Sequence, residues 1–498
     1  MDTLWIVLLV ILALVGAPLF AIFGAASMLL FSSLPDTSIT GAANDVFSEK
    51  FADSPLLVTI PLFTFAGYVL AESGTPHRLV KLSRAWLGWM PGGLAMVCLI
   101  ASAFFTTFTG GSGITIVAIG GLLYPALLTD KYRENFSLGL VTTGGSLGLL
   151  FPPSVPMIIY GVVAGIMIEK LFLAGLIPGI ITVAALATYS SITGIRAKMP
   201  RTKFHASEAI KTLWEAKWEA LLPVALLGGM YSGLMRIHEA AAFTAIYTLI
   251  IEVFIYRDVK FREDLPRIIR DSMTLVGAIL AILATAIGFT AFLIQARVPM
   301  MILDAMQDFI RSQVMFLVAL NLFLIGVGML MDIFSAIVVV VPLIVPIAER
   351  FGINPYHLGI VFLLNLEIGY MTPPVGLNLF ISSFRFNKPI TQLYRAVLPF
   401  IGLLGLALIL VTYVPIFSTW IPSMVESTAV DLETPVPEPE GEGTGLDLDQ
   451  LEGNDGGFDL DDLERDEEPL DLDSLEKQEE TPTDLDALEA EKSKDESK

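Results

Sequence analysis

The chain has 498 residues, 54% of them hydrophobic, and a formal net charge of −21. Apolar runs longer than about 18 residues recur along it, which excludes a soluble globular fold and reads as an all-α polytopic membrane protein. The charge is lopsided. From Glu426 to Lys498 there are 28 acidic and 5 basic residues, a net −23, while the first 425 residues hold 25 basic and 23 acidic, a net +2. No basic stripe for nucleic acid is present, and the single cysteine, Cys98, excludes an intramolecular disulfide or a cysteine-based metal site.

In chain order, Leu4 to Leu34 is apolar and interrupted at Gly16-Ala17-Pro18. It lacks the basic start of a signal peptide and reads as an uncleaved, bent first membrane helix. A polar loop, Pro35 to Ser54, precedes a second span, Pro55 to Ala71. The stretch Pro76 to Trp89 alternates basic and apolar residues at helical spacing and carries two tryptophans, the composition of a helix lying in the membrane interface. An interrupted span follows, from about 92 to 128. After it come a broken helix (136–168), a span (170–192) and a basic connection from Arg196 to Lys217, which the positive-inside rule places in the cytoplasm. Two spans (220–235, 239–256) return the chain to a second basic stretch, Arg257 to Arg270. The remainder repeats the plan: a span (272–295), an amphipathic stretch (298–311), an interrupted span (313–348), a broken helix (354–384), a basic turn and a last span (397–421).

The repetition is in register. Gly148-Leu149-Leu150-Phe151-Pro152-Pro153 recurs as Gly369-Tyr370-Met371-Thr372-Pro373-Pro374. Adjacent prolines cannot continue a helix, and broken backbone survives in hydrocarbon only where protein or a wet cavity surrounds it. Upstream, Thr106-Thr107-Phe108-Thr109-Gly110-Gly111-Ser112-Gly113 and Met331-Asp332-Ile333-Phe334-Ser335 interrupt the two earlier spans. Gly111 to Pro152 is 41 positions, and so is Asp332 to Pro373. The pattern predicts two inverted halves, about 55–193 and 272–421, linked by 194–271. Each half has a re-entrant helical hairpin whose tip faces a Pro-Pro-broken helix. Paired breaks of this kind mark the binding site of a secondary transporter. The same count of crossings puts the base of the first hairpin inside and that of the second outside.

The chemistry follows from the breaks. Unwound backbone offers free carbonyls, and Thr109, Ser112, Ser335 and Thr372 offer hydroxyls, as a small cation in a low-dielectric site requires. Gly110, Gly111, Gly113, Gly148 and Gly369 allow close backbone approach and positive φ. The helix that restarts after each break aims its N-terminus at the site, which favours an anion such as a carboxylate. Asp332, a carboxylate inside an apolar hairpin, is a functional candidate by default; its bland alternative is a helix cap. Glu367, Asn365 and Asn378 flank the second break as supporting candidates. The four histidines carry no catalytic pattern, and no enzymatic constellation appears at membrane depth.

The segments Gly148–Gly161 and Leu364–Phe380 resemble the signature stretches of the large membrane subunit of TRAP (tripartite ATP-independent periplasmic) transporters. Pro61–Gly93 and His238–Ala242 resemble the same family, and the resemblance covers about residues 1–425. It implies an ion-transporter-superfamily fold of elevator type and a sodium-coupled importer of an organic acid in a bacterial inner membrane. Two partners are implied, a small four-helix membrane subunit and a periplasmic substrate-binding protein. No cofactor is implied beyond Na+ as the coupling ion. Carried onto this sequence, the ion-binding positions are Thr109, Gly110, Gly111, Ser112, Gly113, Gly148, Phe151, Pro152, Asp332, Ser335, Gly369, Thr372 and Pro373. The substrate-binding candidates are Thr115, Ser146, Ser154 and Asn378. The first tip departs from the Ser-Gly-Ser type that many members carry.

Two other functions compete: a stand-alone sodium/anion carrier that needs no binding protein, and a non-transporting membrane anchor or signalling protein acting through its acidic tail. That tail, 426–498, is too polar to build a core and reads as disordered. It holds four Asp-Leu-Asp-x-Leu-Glu repeats, beginning at Asp447, Asp459, Asp471 and Asp484, and the topology count places it in the periplasm.

Overall fold

A computed structural model describes residues 17–32, 56–199, 203–298, 300–301, 310 and 312–432. The expectations for the start of the first helix, the 35–54 loop, most of the 298–311 stretch and the acidic repeats lie outside the described residues. Within them the regular structure is entirely helical. The helices are α1 (Leu19–Phe31), α2 (Thr59–Glu72), α3 (Thr75–Leu87), α4 (Gly93–Thr109), α5 (Ser112–Thr129), α6 (Glu134–Gly144), α7 (Val155–Ala164), α8 (Ile168–Arg196) and α9 (Ala206–Glu215). They continue as α10 (Lys217–Tyr231), α11 (Ile237–Ile255), α12 (Leu265–Gln295), α13 (Gln313–Leu330), α14 (Ile333–Arg350), α15 (Pro355–Gly369), α16 (Leu377–Phe386), α17 (Ile390–Tyr413) and α18 (Ile416–Leu432). Among the described residues seven helices are long and apolar enough to cross a bilayer: α5, α8, α11, α12, α13, α14 and α17. The α6–α7 pair, bent by 46° at its break, makes an eighth if counted as one span.

The helices at two expected spans are short: α2 has 14 residues against the expected span 55–71, and α10 has 15 against 220–235, both less than the length that crosses a bilayer. Three further elements differ from the sequence reading. The connection after Arg196 contains a helix, α9, which turns Ala209 and Thr212 inward and receives the Trp86 indole N–H at the Ala209 carbonyl, 3.2 Å away. Helix α9 is ten residues long and buries only these two side chains, Ala209 and Thr212, so its apolar residues make no run that hydropathy alone marks as a helix. Helix α12 begins at Leu265, two turns before the expected Ser272, because its first turns are polar yet still helical. The last span is two helices separated at Val414-Pro415, where proline cannot donate to the ladder.

Helix α3 is tied to the segment 217–258. Arg78, 16% exposed, pairs with Glu219, Glu252 and Asp258, and its guanidinium lies 3.8 Å from the centre of the Tyr256 ring. Burial pulls the Arg78 pKa down, but Glu252, Asp258 and Glu219 more than offset it, so the guanidinium is held protonated. A second ion pair, Lys81–Glu215, joins α3 to α9. The hairpin α4–α5 therefore emerges from a firmly moored arm.

The contacts around the two interrupted spans correspond. In each, the first hairpin arm packs on its own half's helix before the break: α4 on α6 and the following 3-10 turn (Leu147–Leu150), α13 on α15. Glycines make this contact close. A Cβ on Gly148 would fall 2.3 Å from the Ala103 carbonyl oxygen, and one on Gly369 would fall 2.6 Å from Gly328 Cα. Small residues that let backbones meet are the usual device for packing helices in lipid. Each helix after a break then packs on the other half's second hairpin arm: α7 on α14, and α16 on α5.

Candidate functional site

The first tip is a two-residue turn. Thr109 ends α4, Gly110 takes a left-handed φ of 63°, Gly111 is extended, and Ser112 starts α5. Only glycine adopts the Gly110 conformation freely; a Cβ there would also meet the Val155 side chain at 2.9 Å. The Ser112 hydroxyl donates to Asn378 Oδ1 across the two halves at 2.7 Å. A Cβ on Gly113 would meet Ile381 at 2.6 Å. Thus the first tip sits against its own break on one side and against the first turns of α16 on the other.

Beneath the tip runs a set of buried hydroxyls, two of which, Thr106 and Thr107, lie outside the expected ion and substrate positions. Thr106 Oγ1 lies 2.8 Å from Thr115 Oγ1 and 3.0 Å from the Gly145 carbonyl oxygen. The Thr107 hydroxyl is 3.3 Å from the Gly148 carbonyl oxygen. Thr115, expected at the substrate, is buried and turned into its own hairpin in this way. The run of threonines from 106 to 109 was the available signal.

The second tip centres on Asp332, the N-cap of α14. Its Oδ1 accepts from the backbone N–H groups of Phe334 and Ser335, both at 3.0 Å, and its Oδ2 accepts from the Ser335 hydroxyl. The cap reading is therefore correct as geometry. Oδ1 is saturated by its two N–H donors, but Oδ2 keeps a lone pair, so capping and ion binding are compatible. The second break is fastened to this hairpin by the Gly376 N–H, which donates to the Met329 carbonyl at 3.1 Å. Thr372 donates its hydroxyl back to Ile368 at 2.8 Å.

Both Pro-Pro bonds at the breaks are cis. After the first break the chain restarts at Ser154, the N-cap of α7, whose buried hydroxyl has no hydrogen-bond partner among the described residues. After the second it restarts at Gly376, with a φ of 54°, a conformation that favours glycine. Neither Gly148 nor Gly369 has positive φ; both serve close packing. Phe151 lies over Gly179 of α8, where an added Cβ would meet its ring at 2.8 Å.

Two further polar contacts join the halves at this depth. Thr142 donates to Ser382 Oγ at 2.8 Å, and the Ser146 hydroxyl lies 3.4 Å from Glu367 Oε1. Asn365 donates to Asn321 Oδ1 at 2.7 Å, tying α15 to α13. His357 is bound by Ser418 Oγ and the Thr412 carbonyl, a tie between α15 and the last two helices.

The profile of the tripartite ATP-independent periplasmic transporter family, DctM component, matches residues 6–417. The chain belongs to that family. Among its relatives, the C4-dicarboxylate TRAP transporter large permease protein DctM of Vibrio cholerae is 34% identical over 438 residues, 84% of this chain and 96% of that protein. The 2,3-diketo-L-gulonate TRAP transporter large permease protein YiaN of Escherichia coli is 31% identical, over 73% of this chain and 86% of its own length. In fold, the chain is similar to the YdaH transporter of Alcanivorax borkumensis, with a TM-score of 0.58 and 13% identity over 82% of this chain and 98% of that one. This TRAP large subunit is thus a multi-pass membrane permease, and its relatives are transporters rather than enzymes.

Proposed function

We propose that the protein is the large subunit of a sodium-coupled TRAP importer for an organic carboxylate. The observation that carries this reading is the interlocking of the tips and breaks. Each hairpin rests on its own half's break and on the other half's restarting helix, with Ser112 bonded directly to Asn378. On this reading one coupling ion is held by Thr109–Gly113 with Gly148, Phe151 and Pro152, and another by Asp332 and Ser335 with Gly369, Thr372 and Pro373. The carboxylate is received near Ser154 and Asn378; Ser146, expected there, is turned onto the Thr143 carbonyl, and Thr115 supports the first hairpin. The N-termini of α7 and α16 supply backbone N–H groups and dipole for an anion. The substrates printed in the names of the two relatives above are both organic acids, which supports that class.

The halves are inverted repeats, and the interlocked hairpins move together as an elevator against a scaffold that includes α10–α12. The partners are a small membrane subunit and a periplasmic binding protein that delivers the substrate. Uptake by the reconstituted assembly should collapse when sodium is replaced by choline at fixed pH and membrane potential. Full uptake driven by a proton gradient alone would sink the assignment.

A further inference from the structure

We propose that Glu367, Ser146 and Thr143 form a third cation site, for a monovalent ion such as sodium, at the junction of the two halves. The inference rests on the sodium-coupled reading above and adds a site that neither tip provides.

Ser146 and Glu367 are separated by 221 residues. The same interval separates Gly111 from Asp332 and Pro152 from Pro373. The two side chains therefore occupy corresponding positions in the two halves, and they meet each other. Both residues are 0% exposed. Glu367 Oε2 has no hydrogen-bond partner among the described residues, and neither has Thr143 Oγ1 one turn before Ser146. No lysine or arginine among the described residues is paired with Glu367.

A carboxylate taken fully out of water without a counter-charge is one of the costliest groups a protein can bury. At membrane depth such a group pairs or marks an ion pathway. Here the surrounding groups are oxygens. Thr143 carbonyl oxygen, Ser146 Oγ and Glu367 Oε1 follow one another at 3.2 and 3.4 Å. Two oxygens each held about 2.4 Å from a small cation sit about 3.4 Å apart when they subtend a right angle. Glu367 Oε2, on the same carboxylate, is a fourth oxygen, and the unpartnered Thr143 Oγ1 belongs to the residue whose carbonyl is already counted. A cation here touches α6 and α15 at once, so its binding reports on whether the halves are closed together.

The test is the coupling ratio. The full assembly is reconstituted in liposomes and the reversal potential of uptake is measured against imposed sodium gradients, for wild type, Glu367→Gln and Ser146→Ala. Thermal stability of the purified full chain in sodium or choline chloride is measured alongside, with and without each change. Glu367→Gln is expected to lower the ratio by one sodium per substrate and to remove part of the sodium-induced stabilisation. Ser146→Ala, which loses one neutral oxygen, is expected to keep the ratio and raise the half-saturating sodium concentration about tenfold. An unchanged ratio and an unchanged sodium response in Glu367→Gln overturn the third site while leaving sodium coupling intact. A wild-type reversal potential that follows the proton gradient also overturns it, because the ion taken by Glu367 is then a proton. Absence of any sodium response in the wild type instead overturns the coupling on which the inference rests.

Discussion

Replacing Gly148 by alanine is the most direct test of the packing that holds the first break. The added Cβ would lie 2.3 Å from the Ala103 carbonyl oxygen, 2.5 Å from Thr106 Cβ and 2.5 Å from the Thr107 nitrogen. Two of these three atoms are backbone, so no flexible side chain can yield. Ordinary contact begins at 3.4 Å, so the 3-10 turn must retreat from α4 by about 1 Å. Overpacking of this kind costs about 1–3 kcal/mol. The retreat also lengthens the 3.3 Å contact between the Thr107 hydroxyl and the Gly148 carbonyl, adding about 1 kcal/mol. The control is Gly402→Ala on α17, where an added Cβ meets nothing within 4 Å. That change is expected to be neutral or to stabilise by about 0.5–1 kcal/mol, through the restricted unfolded chain. Purified variants would be compared by heat-induced unfolding in detergent, and reconstituted ones by uptake. Gly148→Ala should melt several degrees below wild type and lose most uptake. A Gly148→Ala protein as stable and active as the Gly402→Ala control would refute the reasoning.

Asp332→Asn keeps an N-cap acceptor but not the charge, so stability should change by under about 1 kcal/mol while the half-saturating sodium concentration rises at least tenfold; equal sodium curves would leave Asp332 as a cap only. Ser112→Ala removes the bond to Asn378 and should cost about 1 kcal/mol of stability but a much larger fraction of uptake, with proportional losses counting against a role in the site. Arg78→Gln strands Glu219 and Glu252, which are 2% and 0% exposed, and should destabilise the chain by about 3 kcal/mol; thermal unfolding checks this, and a wild-type melting curve would show that the arm is moored by other contacts. Deletion of residues 433–498 should leave uptake intact at saturating binding protein, and a cysteine placed at Ser497 should react with an impermeant maleimide on spheroplasts. Labelling only after lysis would put the tail inside.

Much of the hairpin-and-break plan was legible because proline and glycine act through the backbone, independently of neighbours. The Pro-Pro pairs and the 41-residue spacing needed no tertiary information, and the tips of α4–α5 and α13–α14 fall where the spacing put them. What was not legible depends on partners distant in sequence. Nothing local to Ser112 announces Asn378, and nothing near Ser146 announces Glu367. Helix α9 is short and buries only Ala209 and Thr212, so a hydropathy reading sees a loop. Proline 415 was visible but lay inside a run apolar enough to read as one span.

The contacts between the halves also set a timetable. Ser112, Thr142 and Ser146 find their cross-half partners 266, 240 and 221 residues later in the chain. Synthesis at about 5–20 residues per second leaves these groups waiting on the order of ten to fifty seconds. During that interval the first half is already in the bilayer with its polar face unmatched. Its hydroxyls can turn back onto their own helix, as Ser146 does toward the Thr143 carbonyl. A chain that ends before residue 367 lacks all three partners, so it is expected to turn over faster in the membrane than the full chain, which a pulse-chase would measure.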